Sequence, residues 1–118
     1  MSVNKTILQF FEVFNSHDVE GMGQLLTSEA QFYFPKTQPL IGKEQILRFF
    51  KILFRQYPAL SFEIQRIIRQ ESRAAVHWTN RGVNRKKEPY QNEGVTILEM
   101  TADKISFISD FFKNTEKF

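Results

Sequence analysis

EGVTILEMTADKISFISDFF, residues 93–112, decides the fold. Glu93, Val95, Ile97 and Glu99 alternate with Gly94, Thr96, Leu98 and Met100. After the tight turn Thr101-Ala102-Asp103, Ser106, Ile108, Asp110 and Phe112 alternate with Ile105, Phe107, Ser109 and Phe111. A period of two on either side of a short turn is the pattern of two antiparallel strands. Both faces of both strands carry apolar residues, so each face is expected to meet something. Asp110 stands inside the last strand, where an unpartnered carboxylate is costly.

Working outward, two more runs alternate in the same way. They are LSFEIQRIIR at 60–69 and SRAAVHWTNRG at 72–82, and the basic loop RGVNRKKEP at 81–89 leads to the strand YQNEGVTILEM at 90–100. Upstream of Pro58 the period changes. Ile7, Phe10, Phe11 and Phe14 recur at helical spacing in NKTILQFFEVFN, residues 4–15. SHDVEGMGQLL follows as a second helix capped by Ser16 or Asp18, with Gly21 and Gly23 weakening it. TSEAQFYF, residues 27–34, reads as a strand, Pro35 and Pro39 as a loop, and KEQILRFFKILFRQY, residues 43–57, as the longest helix. Helices, one strand, a helix and then four long strands make a single α+β domain over residues 1–118. A cone-shaped, curved antiparallel sheet is expected, with the N-terminal helices packed on its concave face.

The chain is 42% hydrophobic with 13 phenylalanines, enough for a sizeable core, and its net charge is +3. That charge argues for solubility and not for a nucleic-acid partner. The absence of cysteine excludes disulfides, thiolate metal sites and a cysteine nucleophile. No apolar run approaches the length of a membrane span, and MSVNKTILQF reads as no signal peptide, so the cytoplasm is the expected location. No phosphate-binding glycine loop and no metal-ligand spacing of histidines is present, so neither cofactor nor metal is expected.

FFEVFNSHDVEGMGQLLTSEAQF, GKEQILRFFKIL and EGVTILEMTADKISFISDFF together resemble the SnoaL-like branch of the nuclear transport factor 2-like superfamily. Its relatives include ketosteroid isomerase, limonene epoxide hydrolase and the polyketide cyclases. The resemblance implies a cystatin-like roll with an apolar cavity, and it leaves the reaction open. The isomerase's tyrosine and two aspartates align near Phe11, Phe34 and Val95, which cannot polarise a carbonyl or take a proton, so that chemistry is rejected. Where the epoxide hydrolase has an Asp-Arg-Asp set, ISDFFK keeps Asp110, while Ala75 and His77 stand near the other two positions.

The resulting expectation is a cavity lined by Phe11, Phe34, Phe50, Tyr57, Val95, Ile97, Ile108 and Phe112, binding a small hydrophobic or amphipathic molecule. His77 is the catalytic candidate for general base and Asp110 its orienting carboxylate, in cofactor-free isomerase, cyclase or hydrolase chemistry. Tyr90 is the fallback partner of Asp110. Against this stands the alternative of a non-catalytic ligand-binding or dimeric interaction module. Trp78 alternates with His77 and is expected on the outer face of the sheet, with Val76 and Leu98, as part of a homodimer contact. Arg81, Arg85, Lys86 and Lys87 read as a solvated hairpin loop, and nucleic acid is not an expected partner.

Overall fold

A computed structural model gives the fold and describes residues 3–115. In chain order it has α1 (Val3–Asn15), α2 (Val19–Gln24), β1 (Leu26–Tyr33), β2 (Leu40–Ile41), α3 (Lys43–Gln56), β3 (Ser61–Gln70), β4 (Arg73–Val83), β5 (Pro89–Thr101) and β6 (Lys104–Phe112). The apolar stripes of α1 and α3 bury Ile7, Phe10, Phe11 and Phe14 on one helix and Ile46, Phe50 and Phe54 on the other. Their rings meet edge to face: the centroid of Phe14 lies 5.5 Å from that of Phe50 and 4.9 Å from that of Phe54. None of these helices is long and apolar enough to cross a membrane.

The α+β class stands, and the shape expected of the sheet is corrected. It is an open, mixed sheet in the order β2-β1-β6-β5-β4-β3. β3 to β6 run antiparallel, but β1 lies parallel to β6, with Phe32 opposite Ile108. The sheet therefore ends on two edges and is neither closed nor strongly curled into a cone. Two physical causes are visible. β6 comes to lie beside β1 only after the chain has passed through α3 and the meander β3 to β5, and such a long crossover allows the two strands to run parallel. At the edges, β2 is two residues long, and β3 turns Arg66, Ile68, Arg69 and Gln70 to solvent, so nothing continues the ladder.

The end of α1 is tied to the start of β3. Asn15 donates from Nδ2 to the Phe62 carbonyl at 2.9 Å and accepts from the Phe62 N–H at 2.7 Å, as an added strand residue would. His17 stacks on Phe54 at 4.1 Å and its Nε2 lies 2.9 Å from the Leu60 carbonyl. These contacts fix Leu60 and Phe62 against the helices.

Trp78 is not on an outer face. It is wholly buried between sheet and helices, as are Val76 and Leu98. Its six-membered ring lies where a side chain at Gly94 would be: a Cβ there would come within 2.8 Å of the ring and 2.3 Å of the Phe111 carbonyl oxygen. Only glycine lets the indole and the β6 backbone approach this closely. Gly94→Ala is expected to cost roughly 3 kcal/mol of folding stability, because neither neighbour can yield without shifting the strand. Urea unfolding of the two proteins measures it, and a loss under about 1 kcal/mol would contradict the contact.

Candidate functional site

Strand register sorts the chemistry onto two faces. Trp78 stands opposite Gly94, Gly94 opposite Phe112, and Thr96 opposite Asp110, so these share the face covered by helices. His77 stands opposite Val95, and Val95 opposite Phe111, on the open face. Opposed residues in an antiparallel ladder point the same way, so the two sets are separated by the sheet itself.

On the covered face runs a chain of hydrogen bonds. The Trp78 indole N–H donates to Thr96 Oγ1 at 2.8 Å, and the Thr96 hydroxyl donates to Asp110 Oδ1 at 2.6 Å. Asp110 is half-buried as a residue, but its carboxyl is turned inward to this chain. Burial pushes the carboxyl up to about 7, and the Thr96 hydrogen bond pulls weakly the other way.

Above Trp78 lies a small recess lined by Phe34, Leu53, Tyr57, Leu60, Phe62, Asn80, Tyr90 and Phe112. Its free volume is about 20 Å³, room for one water-sized group. Phe62 and Phe112 form its floor and both pack edge to face on Trp78, at 4.6 and 4.9 Å. Tyr57 and Tyr90, 5.3 Å apart, are half-buried and stand at its mouth. The polar component is Asn80, which is buried and whose Oδ1 has no partner among the described residues. Burial raises the Tyr90 phenol above its ordinary value, while hydrogen bonds from Asn92 and Asn80 pull it down.

The open face carries a different cluster. His77 Nε2 lies 2.6 Å from Glu93 Oε2, and Lys113 Nζ lies 3.5 Å from the other oxygen of the same carboxylate. The His77 hydrogen bond and the Lys113 charge hold Glu93 below its ordinary value. A wider depression of about 590 Å³ adjoins it, lined mainly by polar residues such as Glu63, Thr79, Arg81, Gln91 and Glu93, and open to solvent. The enclosed recess, not this larger groove, offers a ligand an apolar surrounding.

The structure therefore does not bring His77 and Asp110 together. Their parities, read along separate strands, suggested a shared face. The pairing register sets His77 opposite Val95 and Asp110 opposite Thr96, on opposite sides. His77 has Glu93 for a partner and Asp110 has Thr96. Of the expected cavity residues, Phe34, Tyr57 and Phe112 line the recess, Phe11, Phe50 and Ile108 pack in the core, and Val95 and Ile97 are on the open face. Sequence reasoning missed Asn80 and Thr96. Asn80 shares the parity of Val76 and Trp78, which would have marked it once Trp78 was placed inside. Among the described residues no group of three or more His, Cys, Asp or Glu is placed to hold a metal ion.

With this geometry in hand, the relatives are informative. The model of the SnoaL-like domain matches residues 7–108. The chain belongs to the SnoaL-like domain family. A nuclear transport factor 2-like protein of Burkholderia pseudomallei K96243 superposes on 99% of this SnoaL-like domain and 95% of its own length, with a TM-score of 0.89 at 17% identity. A protein of ketosteroid isomerase-like fold from Catenulispora acidiphila DSM 44928, in complex with trimethylamine, gives 0.85 at 12% identity over 93% of this chain and 86% of that one. These likenesses establish the fold and no chemistry. The orange carotenoid-binding protein of Synechocystis is 35% identical over 48 residues, which are 41% of this chain and 15% of that protein, so the SnoaL-like domain spans only a small part of the relative's length.

The raised Asp110 carboxyl has a stability consequence. Its folded value lies above its unfolded one, so the folded state holds the proton longer. Stability is full below about pH 4, falls as pH rises toward about 7, and is level beyond. Asp110→Asn keeps an acceptor for Thr96 and removes the charge. Between pH 5 and pH 8 the wild type should lose a few kcal/mol relative to this variant in urea unfolding. Parallel pH profiles would show that the carboxyl is not held protonated.

Proposed function

We propose that this domain binds a small organic molecule with a compact apolar body in the recess between α3 and the sheet. The observation that supports it is the lining itself: three phenylalanines, two leucines and two tyrosines surround one buried amide, with no carboxylate, histidine or lysine among them. Binding pockets are mostly apolar with a few placed polar groups. At about 20 Å³ the recess is much smaller than an organic ligand, so entry requires Tyr57 and Leu53, at the end of α3, to give way. The segment they adjoin ends in exposed Pro58 and Ala59, which leaves it room to do so.

A second reading has its own observation. Asp110 does not line the recess, but it borders a surface depression of about 330 Å³ with Tyr33, Phe34 and Pro35. A carboxyl that exchanges its proton near pH 7 suits cofactor-free acid/base catalysis there, of isomerase or cyclase type. On this reading Asp110 acts without His77.

The homodimer is also proposed, with its contact moved. Val76, Trp78 and Leu98 are in the core, so the contact falls to the open face, where Phe111 and Ile68 are 59% and 62% exposed beside Val95, Ile97 and Phe107. The same face carries Glu93 beside Lys113 and Arg66 opposite His77, the mixture of signs that a two-fold contact can pair with itself.

The binding reading is tested by titrating the full chain with benzyl alcohol and with toluene, following the Leu53 and Leu60 methyls and the Trp78 indole by NMR. At least one probe should move these signals saturably, and Leu53→Trp, which fills the recess, should abolish the effect. Silence with both probes would remove the reading. For the catalytic reading, α-deuteration of cyclohexanone in D2O should be accelerated by the wild type and not by Asp110→Asn. Sedimentation equilibrium tests the dimer, which Phe111→Glu should dissociate; a 14.0 kDa species in the wild type at micromolar concentration would refute it.

A further inference from the structure

Asn80 poses a problem of its own. It is 5% exposed, and its Oδ1 is the buried side-chain polar atom left without a partner among the described residues. Buried amide oxygens normally find a donor, and one that does not weakens the fold. Asn80 lines the recess beside the Tyr90 phenol, whose oxygen accepts a hydrogen bond from Asn92 Nδ2 at 3.2 Å.

None of the surrounding groups donates to Oδ1: Phe34, Leu53, Leu60, Phe62 and Phe112 are apolar, neither the Tyr57 nor the Tyr90 hydroxyl bonds it, and the Trp78 indole N–H is committed to Thr96. Backbone ladders on both sides hold the residue in place: Asn80 stands between Phe62 on β3 and Asn92 on β5. An acceptor fixed in this way, in an apolar box of about 20 Å³, is shaped for one hydroxyl or one N–H group.

We propose that Asn80 is the specificity-determining residue of the recess, and that the ligand is a compact ring compound bearing a single hydroxyl or N–H donor, which it buries against Asn80 Oδ1. This rests on the reading of the recess as a ligand site. The donor head takes the volume beside the amide, and the ring follows once Tyr57 moves away from Tyr90, with which it stands in ring contact. A ligand of the same shape without a donor leaves Oδ1 unpaired in the absence of solvent. It therefore loses affinity by roughly tenfold or more. A ligand presenting only an acceptor, such as an ether or ketone, faces the amide oxygen with like partial charge and is rejected more strongly.

The experiment compares benzyl alcohol with toluene, and benzyl methyl ether as the acceptor-only control, on wild type and Asn80→Leu. Dissociation constants come from NMR titration of the full chain. In the wild type, benzyl alcohol should bind at least tenfold more tightly than toluene, with the ether weakest. In Asn80→Leu, which keeps the branched shape and loses the acceptor, the alcohol and toluene should become equal. A readout independent of the variant is the Asn80 side-chain carbonyl ¹³C resonance of the wild type, which should move downfield with the alcohol and not with toluene. If toluene binds the wild type as well as the alcohol does, the recess is a ligand site and the assignment to Asn80 is overturned. If no probe binds, the ligand reading of the recess falls, and the assignment falls with it.

Discussion

The close contact of the Trp78 indole with Gly94 governs the interior. A large ring can lie against the β5 backbone there because residue 94 has no side chain, and the β6 carbonyl of Phe111 closes the same gap from the other side. Once the indole is seated, its N–H has one direction left and finds Thr96, and the Thr96 hydroxyl passes the interaction on to Asp110. Its ring edges support Phe62 and Phe112, which form the floor of the recess. Asp110 lies outside the recess, and Phe34 and Phe112 wall both the recess and the depression that Asp110 borders.

That partition explains the balance between stability and chemistry. A carboxyl pushed to about 7 by burial weakens the fold at neutral pH, and an unpaired amide oxygen at Asn80 adds a second cost. Both sit on the covered face, a strand apart from the apolar pairs that offset them. The phenylalanines of α1, β1 and α3 provide that offset, with Phe14, Phe32, Phe50 and Phe54 packed ring against ring. Such packing is dense, and it leaves the interior only a small free volume. Phe11 and Phe34 stand near positions where the resemblance to ketosteroid isomerase would have placed polar catalytic groups. Here Phe11 fills core and Phe34 walls the recess.

Element boundaries were largely legible in the sequence because they depend on local signals. The stripe of Ile7, Phe10, Phe11 and Phe14, the stop at Pro58 and the turn at Ala102 are each written in a few adjacent residues. Direction was not, and face only in part. Alternation is the same for a parallel and an antiparallel strand, so β1 gave no sign that it would run beside β6 in parallel. On β4 the row Ala74, Val76, Trp78 is more apolar than Ala75, His77, Thr79, so the pattern itself favoured it as the row that meets the helices, and the expectation of Trp78 on the outer face ran against it. The ladder settles it, by placing Trp78 against the one residue of β5 that has room for it. His77 then falls on the open face with Glu93, sixteen residues away, a partner that no local spacing marks.

The two titratable clusters now stand in different solvents, and this separates their chemistry. Glu93 is shared by His77 and Lys113 on the open face, where water competes for every charge, and its carboxyl is held below its ordinary value. Asp110 is enclosed with a hydroxyl and an indole behind it and is held above its ordinary value. Identical functional groups are driven in opposite directions by the two sides of one sheet. Asp110, whose carboxyl burial pushes up to about 7, is on the covered face and borders a depression walled by Tyr33, Phe34 and Phe112. Asn80, on the same face and one ring further along, faces a recess with no charge in it. The unpaired amide oxygen of Asn80 and the raised carboxyl of Asp110 thus lie on the same face of one sheet, with Phe34 and Phe112 walling both sites. On the proposed reading, a ligand held at Asn80 would meet no carboxylate, histidine or lysine, which suits the recess to holding a molecule rather than to changing it.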